Sequence, residues 1–128
     1  MSTKIKLRSL YTSLGKLVLA GKNAEQNEEL VKQVKPDEIV LHTKAAGSPF
    51  VNIKGNASKK DIKEAAIFCA KYSRDWKKNK KDVEVHYFKG KDIFKSKEMK
   101  QGTFGVKKFK KIIVKKEEIT RENSNVKN

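Results

Sequence analysis

Ser58-Lys59-Lys60-Asp61-Ile62-Lys63-Glu64-Ala65-Ala66-Ile67-Phe68-Cys69-Ala70-Lys71-Tyr72 is the stretch on which the fold turns. Ser58 and Asp61 have capping-box spacing, in which each side chain accepts from the other residue's backbone N–H and a helix begins. Ile62, Ala65, Ala66, Cys69, Tyr72 and Trp76 then recur at steps of three and four, the apolar stripe of a helix. Ala65, Ala66 and Ala70 are small, so this long helix can lie close against a sheet. Trp76, near its end, reads as a core anchor rather than a surface for stacking on a base.

Strands to form that sheet flank the helix on both sides. On the N-terminal side, Lys4–Tyr11 and Lys16–Leu19 read as a hairpin around Ser13-Leu14-Gly15, with Gly21 closing it. Asn23 caps a short helix to about Val34, with Gln26 three residues on, and Pro36-Asp37 ends it. Ile39-Val40-Leu41 and Phe50–Ile53 read as an antiparallel pair joined through Ala46-Gly47-Ser48-Pro49. On the C-terminal side, Val83–Phe88 alternates, with Val83, Val85 and Tyr87 on one face and Glu84, His86 and Phe88 on the other. A short bridge is expected at Asp92–Phe94, and strands at Thr103–Val106 and Ile112–Val114. The predicted class is α+β: a curved, mostly antiparallel sheet packed by one long and one short helix. One domain is expected over residues 1–116, with 117–128 as a polar, flexible tail.

Charge sets the chemistry. The chain has 128 residues, 31 Lys and Arg against 15 Asp and Glu, and a formal charge of +16. From Lys71 to Lys111 there are 15 basic and 5 acidic residues. Such a field attracts a polyanion whatever the fold beneath it. Nucleic acid comes first among the candidates. An adaptor role toward an acidic protein, DNA or an anionic membrane surface is the alternative, and an enzyme acting on RNA comes third. The longest apolar runs, such as Leu17–Ala20 and Ala65–Ala70, fall short of the roughly 20 residues that span a bilayer. A soluble, cytoplasmic protein is expected.

Nothing in the sequence spells a catalytic centre, and no enzyme activity, cofactor, metal or small-molecule substrate is expected. The two histidines, His42 and His86, share no ligand spacing with each other, with Cys69 or with paired carboxylates. Ser48 lacks the Gly-x-Ser-x-Gly elbow. Cys69 paired with His42 as a nucleophile is disfavoured, because the cysteine falls on the apolar stripe, where a thiol stays protonated.

Three segments in order resemble the RNA-binding domain of the NFACT proteins. Gly21-Lys22-Asn23-Ala24-Glu25-Gln26-Asn27-Glu28 is similar to that family's Gly-Arg-x-x-x-x-Asn-Glu stretch. Asp37–Lys44 with Gly47-Ser48 is similar to its Asp-x-Trp-x-His segment and Gly-Ser-His turn. Glu64-Ala65-Ala66 through Tyr72-Ser73 looks like its alanine-rich helix, and Lys100-Gln101-Gly102 fits a later Lys-x-Gly. The resemblance spans roughly residues 9 to 116. The chain departs from it at Val40, where the family has Trp, at Pro49-Phe50, where it has His, and at Lys22, which offers a point charge instead of an arginine fork.

The resemblance implies an RNA-binding module of the kind found in ribosome-associated quality-control factors, with tRNA or ribosomal RNA, and the large ribosomal subunit, as partners. Peptide-tail synthesis by the larger family members is not carried over to this length. Lys22, Asn27, His42, Lys44 and Ser48 are the candidate discriminating residues. Lys77, Lys78, Lys80, Lys81, Lys100, Lys107, Lys108, Lys110 and Lys111 are the candidate phosphate-neutralising ones.

Overall fold

A computed structural model describes residues 7–126, with side chains as far as Arg121. Residues 1–6, within which the first strand was expected to begin, and 127–128 lie outside the described residues. The element order is β1 (Arg8–Tyr11), β2 (Leu17–Ala20), α1 (Ala24–Gln33), β3 (Ile39–Thr43), β4 (Val51–Ile53), α2 (Lys59–Lys71), α3 (Arg74–Asn79), β5 (Val83–Lys89), β6 (Ile93–Phe94), β7 (Gly105–Val106), β8 (Lys110–Val114) and α4 (Lys116–Val126). Six strands form one sheet in the order β1-β2-β4-β3-β5-β8, and β6 and β7 form a separate ribbon. Each pairing is antiparallel. β1 and β8 are the two sheet edges.

Strand alternation sorts the apolar side chains into two cores. On one face Val18, Ala20, Leu41, Val51, Ile53, Val83 and Val85 pack against α2 through Ala65, Ala66, Cys69 and Ala70. The small helix residues allow that close approach, and Trp76 closes the same core. On the other face Val40, Phe50 and Phe88 meet Leu30 of α1, with the β6–β7 ribbon adding Ile93 and Val106. Each Val, Leu or Ile fully buried in this way contributes roughly 1.5–3 kcal/mol. Asn52, fully buried on the α1 face, accepts from Gln33 Nε2 at 2.9 Å and donates to Ile39 O at 3.2 Å, locking α1 to the sheet.

The capping box of α2 is present: Asp61 N donates to Ser58 Oγ, and Ser58 N donates to Asp61 Oδ2 at 2.9 Å. Asp61 also accepts from Thr12 Oγ1 at 2.7 Å, which fastens the β1–β2 turn to the helix. Two expectations need correction. The stripe read as one helix to Trp76 is two, because Ser73 breaks it and caps α3. The segment read as a flexible tail is helical from Lys116 to Val126. Its Ile119 is fully buried in the α2-side core, and Glu118 pairs with Lys63 at 2.7 Å. Among the described residues no helix is long and apolar enough to cross a membrane.

Candidate nucleic-acid interface

A groove of about 830 Å³ opens on the α1 face of the sheet. Its base is built from β3 and β5, where His42 and His86 stand directly opposite each other in register. Its rims are the entry to α1 (Gly21–Ala24), the β3–β4 turn backed by α3, and the loop ending at Phe104. Five charged side chains line it: Arg8, Lys22, Lys44, Arg74 and Lys77. None of the lining residues is acidic. Five aromatic residues, Phe50, Tyr72, Phe88, Phe104 and Phe109, stand among the cations. Phosphates and exposed bases are what such a mixture accommodates.

Each rim is fixed by local chemistry. At the α1 entry a side chain on Gly21 would overlap Asn27 Oδ1, so only glycine lets the chain pass. Gly47 takes a φ of +93° and carries Arg74 against it, with Arg74 N donating to Gly47 O at 2.8 Å. The backbone bond ties the start of α3 to the turn, and the exposed Arg74 side chain runs close over Gly47. Arg8 lies 4.3 Å over the Tyr72 ring. Lys95 Nζ donates to Glu28 Oε2 at 2.7 Å, Lys100 O at 2.6 Å and Thr103 O at 2.8 Å, and sits over Phe104. Gly102 N joins at Glu28, so one carboxylate clasps the whole loop to α1. Lys95, then the Gly102 N–H, holds the Glu28 carboxyl below the usual carboxylate range.

The candidate residues divide. Lys22, Asn27, His42, Lys44, Ser48 and Lys77 come together around the groove. Lys78, Lys80, Lys81, Lys100, Lys107, Lys108, Lys110 and Lys111 are exposed outside its lining. Two of the groove residues are used by the fold itself. Asn27 Oδ1 accepts from Phe50 N at 3.3 Å, joining α1 to the start of β4. Ser48 Oγ accepts from Thr43 N at 3.0 Å and donates to Pro49 O at 3.2 Å. The turn itself thus uses the Ser48 hydroxyl.

His42 is also redefined. Its Nδ1 lies 2.8 Å from Thr43 O, which can only accept, so Nδ1 carries the proton. Burial, beyond what the Thr43 bond restores, holds its pKa below the ordinary histidine value. Neutral, its Nε2 is an acceptor. It suits a ribose 2′-hydroxyl or a base amino group rather than a phosphate oxygen. The ring also contacts Phe50, with centroids 4.4 Å apart.

Sequence reasoning missed Arg8, Arg74, His86, Tyr72, Phe104 and Phe109. A signal existed for two of them: the chain has only three arginines, Arg8, Arg74 and Arg121, and two line the groove. The nucleophile pairing fails on geometry and charge. Cys69 is fully buried, its Sγ lies 3.7 Å from Pro49 O, and burial pushes its pKa up to about 12.

The sequence pattern of the family described as NFACT protein RNA binding domain matches residues 6–108. Over 101 residues the chain is 34% identical to the archaeal Rqc2 homologue aRqcH of Methanocaldococcus jannaschii, a match covering 73% of this chain and 15% of that protein. Among solved structures, the C-terminal part of the fibronectin/fibrinogen-binding protein from Streptococcus suis aligns with a TM-score of 0.80 at 25% identity, covering 94% of this chain and 50% of that one. The chain thus spans a small part of the archaeal relative and half of the streptococcal chain. With the family pattern running from the first described strand to the lysines before β8, this chain belongs to the NFACT RNA-binding domain family.

Proposed function

We propose that the domain binds a structured RNA, a tRNA or ribosomal RNA, in the groove, as a cytoplasmic component of ribosome-associated quality control. The observation that carries the reading is the groove's lining: each charged side chain in it is basic. Lys22, Lys44 and Lys77 supply mobile charges for phosphates. Arg8, braced on the Tyr72 ring, and Arg74, beside the β3–β4 turn, supply planar forks that fix direction. His42 supplies an acceptor beside them. Phosphate contacts then position the RNA, and His42 with the aromatic rims discriminates. The aromatic content of the rims favours RNA over a membrane surface, which offers no bases to stack.

A salt titration with two charge-matched variants tests this. With about four to six phosphates neutralised, log affinity for a tRNA falls with log salt at a slope of about −3 to −5. Lys22, Lys44 and Lys77 changed together to Gln weaken binding strongly. Lys78, Lys80 and Lys81 changed to Gln remove the same charge from outside the groove and weaken it less. A slope near zero, or equal losses in the two triple variants, overturns the proposal. Tighter binding to anionic vesicles than to tRNA at matched salt would move the assignment to the adaptor role.

A further inference from the structure

We infer that Phe109 is the platform of a subsite for one unpaired nucleobase, so that the groove selects RNA with looped-out or single-stranded bases over continuous duplex; this rests on the RNA reading above. The Phe109 ring is 50% exposed at the groove's edge. It is also already stacked: its centroid lies 4.1 Å from that of His86, with planes 13° apart. His86 is held in turn, its Nε2 2.8 Å from Glu84 Oε2. A half-exposed ring fixed from behind loses little freedom when a second ring lies on it. Lys107, Lys108, Lys110 and Lys111 flank it along the chain, all exposed. A base settling on Phe109 therefore brings its own phosphates toward lysines.

The other large apolar side chains exposed among the described residues are Tyr11, Leu14, Phe94 and Ile113, and none of them lines the groove. Trp76, as its place on the apolar stripe predicts, is buried in the α2-side core. A base inside a duplex hides both faces between its neighbours, so the platform is blind to it. A loop or bulge presents a face, and stacking on an aromatic side chain is tolerant of which base it is.

The test uses the full 128-residue chain with two RNAs of equal phosphate number: a hairpin carrying 2-aminopurine in its loop, and a blunt, fully paired duplex. The wild type is expected to prefer the hairpin and to quench the 2-aminopurine fluorescence. Phe109→Ala is expected to lower hairpin affinity roughly 5- to 160-fold, the range of base–aromatic stacking, with duplex affinity nearly unchanged. Phe109→Trp retains the preference. Phe109→Leu keeps apolar volume over His86 without an aromatic face, and so reads the same loss should the alanine variant fold poorly. Hairpin binding at wild-type strength by the folded Ala or Leu variant overturns the inference while the RNA reading stands, as does equal loss on both RNAs. Failure of the wild type to bind either RNA at low salt overturns both.

Discussion

His42 is the residue at which the fold and the proposed recognition meet. Its Nδ1 proton goes to Thr43 O, and its ring rests on Phe50 beside the groove. His42→Ala leaves Thr43 O without that donor, at a cost of about 1–3 kcal/mol if no water replaces it. It also removes the acceptor. The variant should therefore show a lower denaturation midpoint together with a reduced preference for tRNA over a generic RNA of equal length. A destabilised variant with an unchanged preference would leave His42 a purely structural histidine. The neighbouring polar residues show where the sequence stops being legible. Asn27, Ser48 and His42 are recognisable as one region from the Asn-Glu and Gly-Ser signatures. Their partners are not, because Phe50 N lies 23 positions from Asn27, and the antiparallel β2–β4 pair, continued by Gly21 N donating to Phe50 O, brings it within 3.3 Å.

Among the elements, the strands were the most legible. Val83-Glu84-Val85-His86 alternates in sequence as it does across the sheet, with the valines in one core and His86 at the groove. The break between α2 and α3 was not legible, because Trp76 continues the apolar stripe in phase across it. Ser73 is the device: fully buried, it donates from Oγ to Ala70 O at 2.7 Å and accepts from Trp76 N at 3.1 Å. It ends one helix and starts the next with a single hydroxyl. Ser73→Ala should lower unfolding free energy by about 0.5–2 kcal/mol, the cost of losing an N-cap. Urea denaturation reads this directly, and an unchanged midpoint would show that solvent replaces the cap. The helical α4 escaped for a different reason. Its composition is strongly polar, and Ile119 docks it against the α2-side core.

For the molecule as a whole, the net charge was legible and the groove was not, because its lining comes from segments as distant as Arg8 and Phe109. Charge also governs stability against acid. Burial alone would raise Glu38, but Lys54 Nζ at 2.7 Å and the N–H groups of Gly55 and Lys35 outweigh it, and the carboxyl lies below its usual range. Glu28 and Glu118 shift the same way, Glu118 through Lys63 and the Lys115 N–H against its burial. A carboxyl whose pKa is lower folded than unfolded stabilises the fold above the unfolded value and loses that contribution as pH falls. Each protonation also adds net positive charge to a chain already at +16. Stability should therefore be level near neutrality and fall steeply below about pH 4.5, the ordinary carboxyl value. A denaturant midpoint that stays flat from pH 6 to about pH 3 would contradict this.

The outer edge of β8 has a consequence for how the molecules tolerate one another. A strand with one unpaired side offers its backbone to any other strand that reaches it. Here the edge carries Lys110 and Lys111, with Ile113 half exposed farther along the strand. Two copies meeting edge to edge would bring lysine against lysine, and like charge opposes that pairing. A bound polyanion cancels that repulsion. On the proposed RNA reading, the same ammonium groups would oppose self-pairing in the free protein and let copies crowd along a shared RNA.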